Sequence, residues 1–165
     1  MAKRSPRQTK LFRAVQRIHS GLYRWSNGRF GGSAPMGAKL LLLTTKGRKT
    51  GRSRTVPLMY LEKGRELMVV ASNAGFDSHP DWYWNLTVSP KATIQIGAVS
   101  STAAIRIAEG EERERLWADL VSRYPNYGTY QTKTDRHIPL VLLAPVYEDT
   151  AEGTRQWLRG SSSVT

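Results

Sequence analysis

Cysteine is absent from this 165-residue chain, which removes disulfides, Cys-type zinc sites and thiolate catalysis together and fits a reducing compartment. Histidine is scarce: His19, His79 and His137 stand far apart without HExxH spacing, so no metal centre is expected. No run approaches the roughly 18 consecutive apolar residues of a membrane-spanning helix. The first apolar stretch is broken by Arg13 and Arg17 and lacks the core of a signal peptide, so the expectation is a cytoplasmic protein. The most informative absence is of negative charge. Residues 1–61 contain no Asp or Glu against 14 Lys and Arg, whereas the remainder carries 11 cations and 13 acids, a net −2 within the overall +12. Such asymmetry awaits an anion, and nucleic acid, an anionic membrane surface and an acidic small ligand all remain open at this level.

A composition of 39% hydrophobic and 23% charged residues fits one ordinary globular domain. Over residues 7–25, Leu11, Phe12, Val15, Ile18, Leu22 and Trp25 recur at helical spacing with Arg13, Arg17 and Arg24 between them. This basic amphipathic helix either caps the domain's own core or touches a membrane surface peripherally. Gly28, Gly31, Gly32, Ser33, Pro35 and Gly37 then form a flexible connection. The period changes to that of strands at 39–45 (KLLLLTT), 54–61 (RTVPLMYL) and 66–71 (ELMVVA), with a tight turn at 62–65. Pro57 has no N–H for a ladder and should sit at an edge or bulge. A short helix is expected from Pro80 through Trp82, Tyr83 and Leu86, stopping before Pro90. Strands at 92–96, 102–107 and 138–146 enclose an acid-started helix over 109–124 that buries Leu116, Trp117, Leu120 and Val121. About six mainly antiparallel strands with an N-terminal helix and inserted helices make an α+β small barrel. The expected organisation is a basic helix and linker over 1–37, the barrel over 38–148 and a tail over 149–165.

Residues 44–57 read TTKGRKTGRSRTVP, with Lys46, Arg48, Lys49, Arg52 and Arg54 joining two strands and Gly47 and Gly51 among them. Glycines let backbone N–H groups converge on a phosphate, the Thr50 hydroxyl adds a donor, and the cations supply charge-assisted bonds. The GxxxxGK[ST] loop of nucleotide hydrolases is absent. Taken alone, the segment reads as a solvated basic hairpin, a site for a phosphate-bearing ligand, or a nucleic-acid contact.

LLLTTKGRKTGRSRTVPLMYL, followed by VVASNAG, PDWYWNL and SPKATIQI, closely resembles the deazaflavin (F420)-dependent nitroreductase and quinone reductase family, from about Leu40 to Pro145. The resemblance implies a split β-barrel related to flavin-binding pyridoxamine oxidases, with the reduced deazaflavin coenzyme F420 in place of flavin. It implies that Arg48, Lys49, Thr50 and Arg54 hold the coenzyme's phosphate and acidic tail, with the strand residues Val56, Pro57, Leu58 and Met59 beside it. Val70, Ala71, Ser72 and Asn73 would line the ring, and Asp81, Trp82 and Asn85 would close over it from the short helix. A phosphodiester and a glutamate tail make this coenzyme a polyanion, which accounts for an acid-free first 61 residues. Nucleic acid is then not expected, since neither aromatic–basic interleaving of the RNP type nor a helix-turn-helix pattern is present.

Tyr124, Tyr127 and Tyr130 are spaced by three, so a helical turn would gather their rings on one face, either as core packing or as a polar wall over an apolar cavity. In the resembling family a tyrosine cluster borders the substrate pocket, and Tyr127 matches the member nearest the coenzyme. A phenol of pKa about 10 would act there only as an acid. Two departures stand out: Asn73 where the family often carries Lys, and Met59 where it often carries an aromatic. Trp82 is expected at the coenzyme, and Asp135 with Arg136 is expected to make an ion-paired start to the last strand. The function implied is hydride transfer from reduced F420 to a small electron acceptor such as a quinone, nitro compound or activated alkene. Rival readings are an FMN-binding enzyme of the same fold, and a non-catalytic deazaflavin carrier or membrane-surface protein.

Overall fold

The computed structural model describes residues 33–34 and 38–146. The expected amphipathic helix over 7–25, most of the glycine-rich connection and the C-terminal tail lie outside the described residues.

The strand-length apolar runs become β1 (Ser33–Ala34), β2 (Ala38–Lys46), β3 (Ser53–Lys63), β4 (Glu66–Val70), β5 (Lys91–Ile96), β6 (Val99–Ile107) and β7 (Leu140–Val146). Between them lie α1 (Asp81–Val88), α2 (Gly110–Arg123) and α3 (Asn126–Gln131). All pairings are antiparallel, in the order β1-β2-β3-β4-β7-β6-β5, and an additional β2–β5 pairing closes six of the strands into a barrel. Leu43 marks the closure, standing opposite Val56 of β3 on one side and Ile94 of β5 on the other. The α+β barrel expected from the sequence is therefore present. Gly64, at φ 62°, supplies the left-handed residue that the two-residue turn between paired Lys63 and Glu66 requires.

Alternation along the strands divides the buried residues into two cores. Leu41, Leu43, Leu67, Val69, Ile94, Val141 and Leu143 fill the barrel together with Trp82 and Leu86 from α1. Met68, Val70, Leu140 and Leu142 project the other way and are covered by Leu120 of α2 and Ile138. Each fully buried Leu contributes about 1.5–3 kcal/mol relative to exposure, so a sheet loaded on both faces fixes the register of β4 and β7 strongly.

The barrel is split along β3. Residues Ser53 to Met59 pair with β2, while Tyr60 to Lys63 pair with β4. Among the described residues, the first part of β3 therefore has no strand on its second flank. Pro57, opposite Leu42, falls in this part, where a missing N–H breaks no ladder on the open side. Among the described residues no helix is long and apolar enough to cross a membrane.

Candidate active site

The cation-rich segment is the connection from β2 to β3, and its backbone is wound tightly. Gly47 N–H donates to Arg52 O at 2.9 Å, and Gly51 and Thr50 N–H donate to Gly47 O at 2.7 and 3.2 Å. A Cβ at Gly47 would meet Arg52 O at 3.1 Å and Thr50 Oγ1 at 3.2 Å, so the close approach favours glycine there. The loop is tied to α1: Asn85 Oδ1 accepts the Arg48 N–H at 3.0 Å while Asn85 Nδ2 donates to Thr45 Oγ1 at 3.0 Å. The Arg48 guanidinium lies over the Trp84 ring, 5.7 Å from its centroid.

Among the described residues the charges of this loop are uncompensated. Lys39, Lys63, Arg106, Arg113 and Arg123 each have an acidic partner, whereas Lys46, Arg48, Lys49, Arg52 and Arg54 have none among the described residues. Five cations held on one short loop without acids repel one another and gain from a multiply charged anion. The residues present therefore fit a coenzyme with a phosphodiester and an acidic tail. The loop runs directly into the open flank of β3. There the side chains of Val56 and Leu58 turn into the barrel, while Met59 packs on the helix-facing side with Leu116, Trp117, Tyr124, Tyr127 and Tyr130.

The structure brings the three tyrosines to that one core. Tyr124 caps the end of α2, and Tyr127 and Tyr130 sit a turn apart on α3 with rings 5.7 Å apart and nearly perpendicular. Burial, reinforced by Tyr130 and Tyr124, pushes the Tyr127 hydroxyl up to about 12. It stays protonated at neutral pH and can donate a hydrogen bond or serve as an acid.

The segment after β4 has an unusual backbone. Asn73, Ala74 and Gly75 all have positive φ, at 47°, 55° and 79°. Such a conformation costs a non-glycine residue about 1–2 kcal/mol, and it persists where the surroundings over-determine it. Asn73 Nδ2 donates to Ser78 O at 2.8 Å, bracing the turn with the side chain that stands where the family often has Lys. Gly75 lies so close to α3 that a Cβ would meet Tyr130 O at 2.6 Å. Beneath the turn, Arg136 donates to Ser72 O at 2.7 Å, Phe76 O at 2.8 Å and Ala71 O at 3.3 Å, and contacts His79 Nδ1 at 3.0 Å.

One expectation is corrected here. Asp135 and Arg136 do not form an ion pair among the described residues. The Arg136 guanidinium turns inward to carbonyls some 60 residues away in sequence, a partner set no local pattern announces. Trp82 is 6% exposed within the barrel core, and the more exposed Trp84 lies against Arg48 of the cation loop. Asn85, expected over the coenzyme, is also buried and acts by holding the loop. Asp81 is exposed in the first turn of α1. No local pattern marks Arg136, His79 and Gln131 as partners that brace this turn. Gln131 donates to Arg136 O at 2.8 Å and accepts from Ile138 N at 3.1 Å, so α3 is locked to the start of β7.

A cavity of about 440 Å³ lies on the face of α1 opposite Asn85, lined by Tyr83, Leu86, Thr87, Ile105 and Arg106 among others. It contains none of the site residues expected from the sequence. The chemistry is better marked by the uncompensated cations than by this hollow.

Comparison with known proteins gives a consistent answer. The profile of the F420H(2)-dependent quinone reductase family matches residues 15–145. An F420H(2)-dependent quinone reductase of Mycobacterium tuberculosis is 35% identical over 130 residues, covering 77% of this chain and 87% of its own. A solved F420-H2 dependent reductase is 43% identical with a TM-score of 0.57, covering 63% of this chain and 92% of that one. A second solved chain, described as a domain-swapped dimer, is 35% identical with a TM-score of 0.60 and covers 79% and 98%. The chain belongs to the F420H(2)-dependent quinone reductase family, and it is an F420-dependent reductase with the split-barrel fold.

Proposed function

We propose that this enzyme transfers a hydride from reduced F420 to a small quinone-type acceptor in the groove along the open flank of β3. The observation that carries the reading is the loop of five cations, without acidic partners among the described residues, opening onto that flank. Arg48, Lys49, Thr50 and Arg54 would hold the coenzyme's phosphate and acidic tail. The backbone of Val56 to Met59 would run alongside it, and the turn from Val70 to Asn73 would line the ring. Once bound, the reduced deazaflavin supplies the two-electron donor, so no protein nucleophile is needed.

The protein's part is orientation, charge and exclusion of water. Met59 and the tyrosines pack against one apolar core, a surrounding that suits a flat carbonyl acceptor better than a strongly charged one. As a hydride reaches a quinone, negative charge develops on its oxygen; Tyr127 is the group that can place a proton there. Nitro compounds and activated alkenes also accept hydride with negative charge passing to an electron-withdrawing group, and belong to the same broad class of electrophilic acceptors.

The test is anaerobic titration with F420 and FMN in parallel, followed by turnover of reduced F420 with a quinone and a nitroaromatic. The reading requires salt-sensitive F420 binding tighter than that of FMN, and quinone-dependent oxidation. Tighter FMN binding would favour a flavin enzyme, and binding without turnover a carrier.

A further inference from the structure

Arg136 places its guanidinium under a single loop, with three of its hydrogen bonds going to the carbonyls of Ala71, Ser72 and Phe76 and a fourth contact to His79 Nδ1. A planar guanidinium offers five donors in a rigid fork, so several simultaneous bonds fix the peptide planes that accept them. In a trans peptide the N–H points opposite to the C=O. Holding the carbonyls of Ala71 and Ser72 inward therefore turns the N–H groups of Ser72 and Asn73 away from Arg136. Among the described residues neither of these two N–H groups has a hydrogen-bond partner. They are two adjacent backbone donors, presented from a turn whose next residues are held at positive φ.

We infer that Arg136 is a positioning residue for hydride transfer: by clamping the carbonyls of Ala71 and Ser72 it aims the N–H groups of Ser72 and Asn73 at the polar edge of the bound ring. This rests on the reading that the turn from Val70 to Asn73 lines the ring. The clamp also sets the ring against the acceptor side. Gln131 of α3 bonds to the Arg136 carbonyl at 2.8 Å, and Gly75 abuts the Tyr130 carbonyl, so the ring-lining turn and the helix carrying Tyr127 form one braced unit. His79 takes part as an acceptor, which requires its Nδ1 to be unprotonated; the groups facing this pair are Asp77 and Tyr83.

The test compares Arg136→Met with Arg136→Lys by F420 affinity, its salt dependence and turnover with a quinone. Binding held mainly by the tail should survive in both, with an unchanged salt slope. Misplacement of the ring should lower kcat about 10²-fold in Arg136→Met, and Arg136→Lys, which can reach some of the carbonyls, should recover part of it. Turnover within about twofold of wild type in Arg136→Met would overturn the inference. Should that variant fail to fold, the wild-type Arg136 Nε–H resonance decides the matter. It should be protected from exchange and shift when F420 is added, and an unprotected or unmoved resonance would contradict the clamp. Failure of the underlying site reading is separable: then Lys49→Ala and Arg54→Ala would leave F420 affinity unchanged.

Discussion

Asn85 Oδ1 accepts the backbone N–H of Arg48 at 3.0 Å, joining α1 to the cation loop across 37 residues of chain. With its other end on Thr45 Oγ1, this buried amide decides where the loop stands relative to the barrel. Replacing Asn85 with Leu keeps the branched heavy-atom shape, with bulkier methyls in place of the amide, but strands the Thr45 hydroxyl and the Arg48 N–H. The expected result is a loss of about 1–3 kcal/mol in stability by denaturant titration, with weaker F420 binding because the loop is no longer held.

The cations themselves are tested by Lys49→Ala and Arg54→Ala. Each should weaken F420 binding by about 1.5–3 kcal/mol, the range for hydrogen bonds to charged groups, without changing the melting temperature appreciably. Arg65→Ala, on the exposed turn at the far end of β3, should leave affinity unchanged. Calorimetry giving the opposite ordering would move the anion site elsewhere.

Local pattern carried the strands and the cation cluster. KLLLLTT, RTVPLMYL and ELMVVA have strand length and β-type composition, and an acid-free run of 61 residues is visible without coordinates. The tyrosine spacing likewise foretold a shared face, because one turn of helix repeats it. What could not be read is long-range. Leu43 pairs with both Val56 and Ile94, yet nothing near Leu43 identifies the second partner. Arg136 stands next to Asp135, so proximity in sequence favours an ion pair, while its real partners are carbonyls of residues 71–76, chemically anonymous in any sequence. Trp82 and Trp84 differ in burial because the helix rotates between them, and a short helix with apolar residues on all sides gives little sign of which way.

Gly75 tests whether the turn must press on α3. Gly75→Ala places a Cβ 2.6 Å from Tyr130 O at φ 79°, so the backbone must move. Strain of about 1–2 kcal/mol and the clash together should lower stability by more than about 2 kcal/mol. Quinone turnover should fall further than the loss of folded protein accounts for, as measured at a temperature where the variant remains folded.

Tyr127→Phe separates chemistry from packing. Loss of one positioned acid should lower kcat and kcat/KM together by about 10²-fold, with F420 affinity little changed. The same substitution has a signature in stability. Burial raises the folded-state value from 10.0 to about 12, so the stabilising contribution is complete below pH 10 and is lost as pH rises to about 12. Unfolding curves of the wild type should therefore steepen in their pH dependence over that window, and Tyr127→Phe should flatten it.

If F420 held on the cation loop is brought to turnover with a quinone, the anaerobic initial rate of reduced F420 oxidation with a water-soluble quinone, measured at increasing salt, will show it. The predicted result is quinone-dependent oxidation whose KM for reduced F420 rises with salt while kcat stays nearly constant, because screening weakens the tail contacts and leaves the reacting groups in place. Salt-sensitive F420 binding with no quinone-dependent oxidation would contradict it.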